Sequence, residues 1–396
     1  MKNSPLPSLG KQPKTVTILG STGSVGRSTV DLIAGHREKF KVRALTAHKN
    51  VLLLAKQARE LGAEYAVIAD ETLYGDLKKA LEGTAVKVEA GYQAVVAAAG
   101  IPADWVMAAI VGAAGVESTL KAIQQGTTVA LANKESLVCA GPFMMEAVQK
   151  YGATLLPVDS EHNAVFQVLN IEQHEQIKRI ILTASGGPFL RKTRDELRGV
   201  TPEQAVKHPT WSMGAKISVD SATMMNKSLE IIEASYLFNL EREKIEVLIH
   251  PQSIVHSMVE YIDGSILSQM GAPDMRTPIA HTLAWPQRME TTGDTLNLMN
   301  NINLSFEPID LKRFPSVKMA REVLHAGQGA PAVFNAANEV AVEAFLSRKL
   351  KFSEIESVVG EVLQVTPIQP ISSLQSLFQL DLDARRIASK VIAGLN

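Results

Sequence analysis

A β-branched run, Thr15–Leu19 (TVTIL), stops at Gly20-Ser-Thr-Gly23-Ser-Val-Gly26, and helical spacing begins at once over Val25–Ile33. Glycines at such a junction let the backbone turn sharply and approach a pyrophosphate, whose charge rests on free N–H groups at the helix start. The spacing G-x-x-G-x-x-G is a variant of the dinucleotide fingerprint, and its place between strand and helix raises it above a chance cluster. A plain βα turn is the competing reading. Further strands are expected at Lys41–Ala47, Tyr65–Ile68, Trp105–Ile110, Thr128–Leu131 and Thr154–Pro157, with helical segments such as Val51–Leu61 between several of them. Alternation at this pitch predicts a parallel sheet with helices on both faces.

The rhythm changes after Pro157. Ile177–Ala184, Ile245–His250 and Ser253–Tyr261 read as strands of a second, mixed sheet, and helical patterns dominate from Val317 onward. A chain of 396 residues is too long for one ordinary core. The expected architecture is therefore α/β. An extension over 1–14 precedes a Rossmann-like parallel-sheet domain over 15–158. A central α+β catalytic domain over 159–290 carries a long lid loop over 185–215. A linker over 291–316 leads to a C-terminal helical bundle over 317–396.

The end of the second strand bears on the choice of dinucleotide. An NAD site normally places an acid there for the ribose 2′-hydroxyl. Here the residues are Ala47, His48, Lys49 and Asn50, so a cation stands where a 2′-phosphate would lie, and NADP is expected over NAD. A solvated surface lysine is the alternative. The net charge of −1 offers no basic field for nucleic acid, so an anionic partner must be small and locally recognised. Cys139 is the only cysteine, which rules out an intrachain disulfide and fits a reducing, cytoplasmic setting. The longest apolar run, around Trp105–Val116, falls short of the roughly 18 residues of a membrane span. Met1–Lys14 lacks the apolar core of a signal peptide and reads as a loose extension.

Two segments carry the chemistry: Asp159-Ser160-Glu161-His162 and Asn226-Lys227-Ser-Leu-Glu230. Asp159 and Glu161, two apart at an expected strand end, would share a face. Asn226, Lys227 and Glu230 fall on one face of an expected helix that Ser221 would cap. Carboxylate-only ligation favours Mg²⁺ or Mn²⁺ over zinc. A helix-capping pair and an ordinary i,i+3 surface pair are the bland alternatives. Ser185, Ser221, Asn226 and Lys227 supply the neutral donors and cation that a phosphate needs. Lys134, in Asn133-Lys134-Glu135, is a cation at a strand end. His256 reads equally as a core histidine.

These segments, with Leu131–Leu137 (LANKESL), Pro157–Gln167 (PVDSEHNAVFQ), Ala184–Phe189 (ASGGPF), His208–Glu233 (HPTWSMGAKISVDSATMMNKSLEIIE) and Gly271–Thr277 (GAPDMRT), occur in order along nearly the whole chain. The chain resembles the 1-deoxy-D-xylulose-5-phosphate reductoisomerases, NADPH-dependent enzymes of the non-mevalonate isoprenoid pathway. The resemblance implies that Asp159, Glu161 and Glu230 bind Mn²⁺ or Mg²⁺, with Co²⁺ as a third option. It implies that Lys134, Glu161, His162 and His208 serve catalysis. Substrate contacts would come from Lys134, Ser160, Glu161, Ser185, His208, Trp211, Met213, Ser221, Asn226, Lys227 and Glu230. Cofactor contacts would come from Gly20, Ser21, Thr22, Gly23, Ser24 and Val25, from Ala47, His48, Lys49 and Asn50, and from Asn133, Glu135, Gly214 and Met275. A homodimer formed through the central sheet is also implied. The family commonly has glycine where this chain has His48. Two rivals make different demands: an acyl-phosphate reductase needs an activated cysteine, for which Cys139 is the sole candidate, and a non-catalytic NADP sensor needs no group of carboxylates.

Overall fold

The computed structural model describes residues 12–193, 195–211, 213–300, 302–368 and 370–395. Strands β1 (Lys14–Leu19), β2 (Phe40–Ala47), β3 (Tyr65–Ile68), β4 (Lys87–Ala90), β5 (Trp105–Ala108), β6 (Thr128–Leu131) and β7 (Thr154–Pro157) form one sheet. Their order is β4-β3-β2-β1-β5-β6-β7, and every pairing is parallel. The chain runs outward from β1 to β4 and then crosses back to place β5 beside β1. Such a reversal opens a crevice at the carboxyl ends of the two central strands, where α/β sheets hold their ligands. Those strands are covered on both faces: Val16, Ile18, Leu19, Trp105, Val106 and Met107 are wholly buried.

β4 was not foreseen. Its Lys-Val-Glu-Ala sequence alternates between exposed and half-buried, as suits an edge strand, and so lacks a strong apolar signal. Lys14, expected at the end of a loose extension, belongs to β1 and donates from Nζ to the carbonyl of Leu283 at 2.9 Å. Residues 1–11 of that expected extension lie outside the described residues.

The second sheet has the order β11-β10-β8-β9-β12, from β8 (Ile177–Ala184), β9 (Ile245–Ile249), β10 (Val255–Tyr261), β11 (Ile266–Met270) and β12 (Glu307–Pro308). It is mixed: β8 runs parallel to β9 and antiparallel to β10. The linker expected over 291–316 is not merely a connector. Glu307 and Pro308 pair with Ile249 and Leu248, and Phe314 is buried in the core beneath this sheet. Proline spacing hid that role, because only the edge of the sheet tolerates it.

Helices Pro315–Ala326, Ala330–Leu346, Ile355–Val365 and Leu374–Leu395 form the C-terminal region. Their apolar faces share one core with Val138, Phe189, Val219 and Leu229, so the bundle packs directly behind the central region. The expected lid, 185–215, contains a short helix at Pro202–Ala205, whose start is closed by a Thr201–Gln204 capping box.

The glycine turn shows a steric requirement at one position in particular. A Cβ on Gly26 would lie 2.2 Å from the carbonyl oxygen of Gly20, whereas one on Gly23 would meet nothing nearer than 3.5 Å. Backbone atoms cannot step aside as a side chain can. Gly26→Ala should therefore lower the midpoint of thermal unfolding by several degrees, while Gly23→Ala leaves it nearly unchanged; calorimetry on the two variants checks the contrast.

Candidate active site

β7 stops at Pro157, so Asp159 and Glu161 do not project from a strand as the i,i+2 spacing implied. Asp159 occupies the N-cap of the helix Ser160–Val168, and Glu161 lies in its first turn. Asp159 makes no side-chain capping bond, which leaves its carboxylate for the cleft. The helix N-terminus favours both acids electrostatically. Glu230 comes from the helix Met225–Leu237 opposite, and Asp159, Glu161 and Glu230 can bring one oxygen each within 4.8 Å of one another.

Two buried ammonium groups hold this triad. Lys134 touches Asp159, lies 3.3 Å from Glu230 Oε1 and donates to Asn226 Oδ1 at 2.8 Å. Lys227 donates to Glu161 Oε1 at 2.8 Å and to Glu230 Oε2 at 2.5 Å. Asn226 donates to Glu230 Oε1 at 2.5 Å, and the Ser160 hydroxyl donates to Glu161 Oε2 at 2.5 Å. Burial alone would lower both lysines, but the surrounding carboxylates outweigh it and raise them. Burial, reinforced by the Glu161 charge, lifts Glu230 to about 7. For Glu161 burial is outweighed by Lys227, a hydrogen bond with Asp159 and Lys134, so it is held well below the ordinary carboxylate range. Three acids face two ammoniums, and the acids offer only oxygen donors. That donor set fits a hard divalent cation.

His162 does not reach the cleft. It is wholly buried, with Nδ1 2.9 Å from Glu233 Oε2 and Nε2 3.0 Å from the carbonyl oxygen of Glu230. Burial would lower its pKa, yet Glu233 carries it up to about 9. It braces Glu230 from behind instead of meeting a substrate. Glu233 escaped the sequence reading, although its i+3 spacing from Glu230 places it on a neighbouring face.

Ser185, Ser221, Asn226 and Lys227 line one cleft of about 740 Å³ together with Lys134, Asp159, Ser160, Glu161, His208, Trp211 and Met213. Ser221 is not the expected cap. It ends the preceding helix, Ala215–Ala222, and Met224 in a left-handed conformation (φ 60°) separates the two helices. Gly187 permits the cradle: its φ is +67°, and a Cβ there would lie 2.9 Å from the Ser221 carbonyl oxygen.

His208 ties the lid to this cradle. Its Nδ1 accepts from the backbone N–H groups of Thr210 and Trp211 at 3.2 and 3.0 Å, so the proton sits on Nε2, 2.8 Å from Ser185 Oγ. Burial pushes its pKa down to about 4, which keeps the ring neutral. His256, open to two readings in the sequence, is buried but lines the cleft, its ring 6.0 Å from that of Trp211.

At the far end of the cleft stand Ser24, Val25 and Met275. The neighbouring turn residues have other duties: Gly20 N–H donates to Thr46 Oγ1, and Ser21 donates to Gln57, so its hydroxyl turns inward. Thr22 is half-buried and Gly23 exposed at the turn, and Ala47 ends β2 in the core. His48, Lys49 and Asn50 are exposed beyond it; Asn50 caps the helix Val51–Leu61, and Lys49 lies 3.9 Å from Asp70. Asn133 spends its side chain capping the helix Lys134–Tyr151 and holding the carbonyls of Ile110 and Gly112. Glu135 pairs with Lys216 at 2.6 Å, and Gly214 caps Ala215–Ala222.

Family models agree with this arrangement. One described as 1-deoxy-D-xylulose 5-phosphate reductoisomerase matches residues 16–141, its C-terminal domain matches 155–238, and a DXP reductoisomerase C-terminal domain matches 270–387. A reductoisomerase of that name from Zymomonas mobilis is 55% identical over 385 residues, 97% of this chain and 99% of its own. One from Rhodospirillum centenum is 56% identical over 381 residues, 96% and 95% of the two chains. This chain belongs to the 1-deoxy-D-xylulose 5-phosphate reductoisomerase family. A solved reductoisomerase from Zymomonas mobilis, in complex with NADPH, superposes with a TM-score of 0.91 at 53% identity, covering 96% of this chain and 99% of its own. Another, in complex with NADPH, fosmidomycin and magnesium, gives a TM-score of 0.91 at 40% identity, with coverage of 96% and 99%.

The reductoisomerase cleft includes residues the sequence reading missed: Arg27, Ser28 and Asp31 on the first helix, and Asp274 and Arg276 opposite. Arg276 Nε meets Asp31 Oδ2 at 2.9 Å across the two sides. Only their nearness to the GSTGSVG and GAPDMRT motifs could have flagged them. Cys139 is buried in the core, where burial pushes its thiol well above the usual range. It has none of the activation that a thioester-forming rival requires. The buried charge cluster has a stability consequence. Lys227→Met would leave Glu230, fully buried, short of one of its cations and should cost roughly 3–5 kcal/mol in urea unfolding.

Proposed function

We propose that this chain binds 1-deoxy-D-xylulose 5-phosphate, rearranges its carbon skeleton and reduces the product with NADPH to 2-C-methyl-D-erythritol 4-phosphate, a step of the non-mevalonate isoprenoid pathway. The observation that carries the reading is one cleft joining Asp159 and Glu161, with buried Glu230 within 4.8 Å behind them, and the Ser185–Ser221–Asn226–Lys227 cradle to the helix start at Ser24–Val25. The relatives named for this activity support it, as do the neighbours bound to NADPH and to magnesium.

Each group has a task that follows from its chemistry. Lys227, with the hydroxyls of Ser185 and Ser221 and the amide of Asn226, takes the substrate phosphate. Lys134 places an ammonium beside the sugar oxygens, with Ser160 next to them. Asp159, Glu161 and Glu230 would hold Mg²⁺ or Mn²⁺, which when bound supplies Lewis-acid stabilisation of the enolate oxygen formed as the skeleton breaks and reforms. The glycine turn with Ser24 and Val25, and Met275 and Gly214, would hold NADPH, which when bound would supply the hydride. Glu161, held ionised by Lys227, receives the hydroxyl proton at Oε2, where Ser160 now donates. His208 locks the lid backbone to Ser185, so Trp211 and Met213 cover the substrate and exclude water. Lys49 is assigned to the 2′-phosphate; its loose pairing with Asp70 leaves it available.

The two sheets and the helical region support a division into 15–158, 159–290 and 317–396, with the linker 291–316 lending β12 to the second sheet. Edge strand β11 exposes Ile266 and Leu267, at 52% and 48%, which supports a homodimer through the central sheet. Among the described residues no helix is long and apolar enough to cross a membrane, and with the unpaired Cys139 this supports a cytoplasmic location.

NADPH absorbance should fall on addition of 1-deoxy-D-xylulose 5-phosphate only when Mg²⁺ or Mn²⁺ is restored after chelation. Glu161→Gln should abolish that turnover while NADPH affinity, read by fluorescence titration, stays nearly intact; an active variant would remove Glu161 from proton transfer. Trp211→Ala should raise KM or lower kcat about ten-fold with an unchanged unfolding temperature, since a lid aromatic acts on the closed complex. The opposite pattern would make it a packing residue.

A further inference from the structure

Behind the cleft lies a polar chain that none of the cleft-lining residues includes. Its centre is the helix Ala330–Leu346, where the consecutive residues Asn338 and Glu339 serve two branches. In the first, Glu339 Oε1 accepts from the backbone N–H of Ala113 at 3.3 Å and from Asn335 at 2.9 Å, while Oε2 accepts from Arg385 at 2.6 Å. Arg385 is itself held by Asp381 at 2.7 Å, on the last helix. The Gly112–Ala113 backbone fixed in this way accepts from Asn133 through the Gly112 carbonyl at 2.9 Å. Asn133 caps the helix whose first residue is Lys134.

In the second branch, Asn338 donates to Asp220 Oδ1 at 2.8 Å, and the other oxygen of Asp220 meets Lys216 at 2.9 Å. Lys216 also pairs with Glu135 at 2.6 Å, one residue beyond Lys134. Lys216 lies in the first turn of the helix that follows Met213 and Gly214, where the lid re-enters the body of the protein. Both branches therefore leave one C-terminal helix and end on the first turn of the helix bearing Lys134, and one of them passes through the lid exit. Asp220 and Asn338 are almost wholly buried. Buried polar chains of this kind rigidify only when every member is held, and removing one member releases its neighbours.

We propose that Lys216 and Glu339 are positioning residues through which the C-terminal helices set the placement of Lys134 against Asp159 and Glu230 and anchor the exit of the lid. Neither touches the cleft. The inference rests on the proposed reductoisomerase reading, since Lys134 matters to turnover only there. It assigns the helical region a part in catalysis distinct from its packing.

The test compares wild type, Lys216→Met, Lys216→Arg and Glu339→Gln by NADPH oxidation with 1-deoxy-D-xylulose 5-phosphate and Mg²⁺, alongside thermal unfolding. Misplacement of a cation near reacting atoms costs on the order of ten-fold or more in rate. Lys216→Met and Glu339→Gln should lower kcat on that scale, and Lys216→Met should also raise KM by loosening the lid. Lys216→Arg, which keeps the charge, should recover most of both. A fall in kcat that merely tracks the folded fraction at unchanged KM would overturn the proposal, as would unaltered kinetics. If Lys216→Met does not fold, Glu339→Gln, which keeps shape and loses only a charge, carries the same comparison. An inactive wild type would overturn the functional reading and this inference together; an active wild type with indifferent variants would overturn the inference alone.

Discussion

Three carboxylates and two ammonium groups meet at and just beneath the floor of one cleft, and the rest of the structure is arranged to make that tolerable. A buried charge without a partner costs several kcal/mol, so each member here is held by at least one opposite charge and usually by a neutral donor as well. Lys227 bridges Glu161 and Glu230, Lys134 bridges Asp159 and Glu230, and Asn226 and Ser160 fill remaining acceptor positions. The His162–Glu233 pair behind Glu230 extends the same logic one layer deeper. The donors of the carboxylate triad are all oxygens, a set that fits a hard divalent cation.

This cluster is assembled from three separate pieces of chain. The helix Lys134–Tyr151 follows β6, the helix Ser160–Val168 follows β7, and the helix Met225–Leu237 follows the lid and a left-handed turn at Met224. All three present first-turn residues to the same point, where unpaired N–H groups and helix dipoles favour anions. The parallel-sheet region supplies the other side of the cleft, through the first helix at Ser24–Asp31 and through Ala132 after β6.

Much of this was legible in the sequence, for identifiable reasons. Period-two and period-3.6 patterns marked most of the strands and helices, because burial on one face leaves a compositional trace. The glycine turn was readable because only glycine at Gly26 lets the helix start approach the Gly20 carbonyl. The set of acids was readable by residue type, but the local geometry assigned to them was not. Asp159 and Glu161 meet through a helix start rather than a strand face, and Ser221 closes a helix instead of opening one. Edge strands β4, β11 and β12 left little signal, since their side chains are largely solvated or proline-bearing.

What the chain determines by itself is which groups are present and which local turns they permit: the oxygen-only donor set, the lysines that balance it, the absence of a paired cysteine, and glycines where backbones must touch. Tertiary structure alone decides which of these groups meet. Asn133 and Glu135, neighbours of Lys134, are spent on capping and on Lys216, His162 is turned into the core, and Arg276 reaches Asp31 from 245 positions away in sequence. Distance along the chain carries no information about such pairings, because they are fixed by the packing of two sheets and a helical bundle around a common cleft.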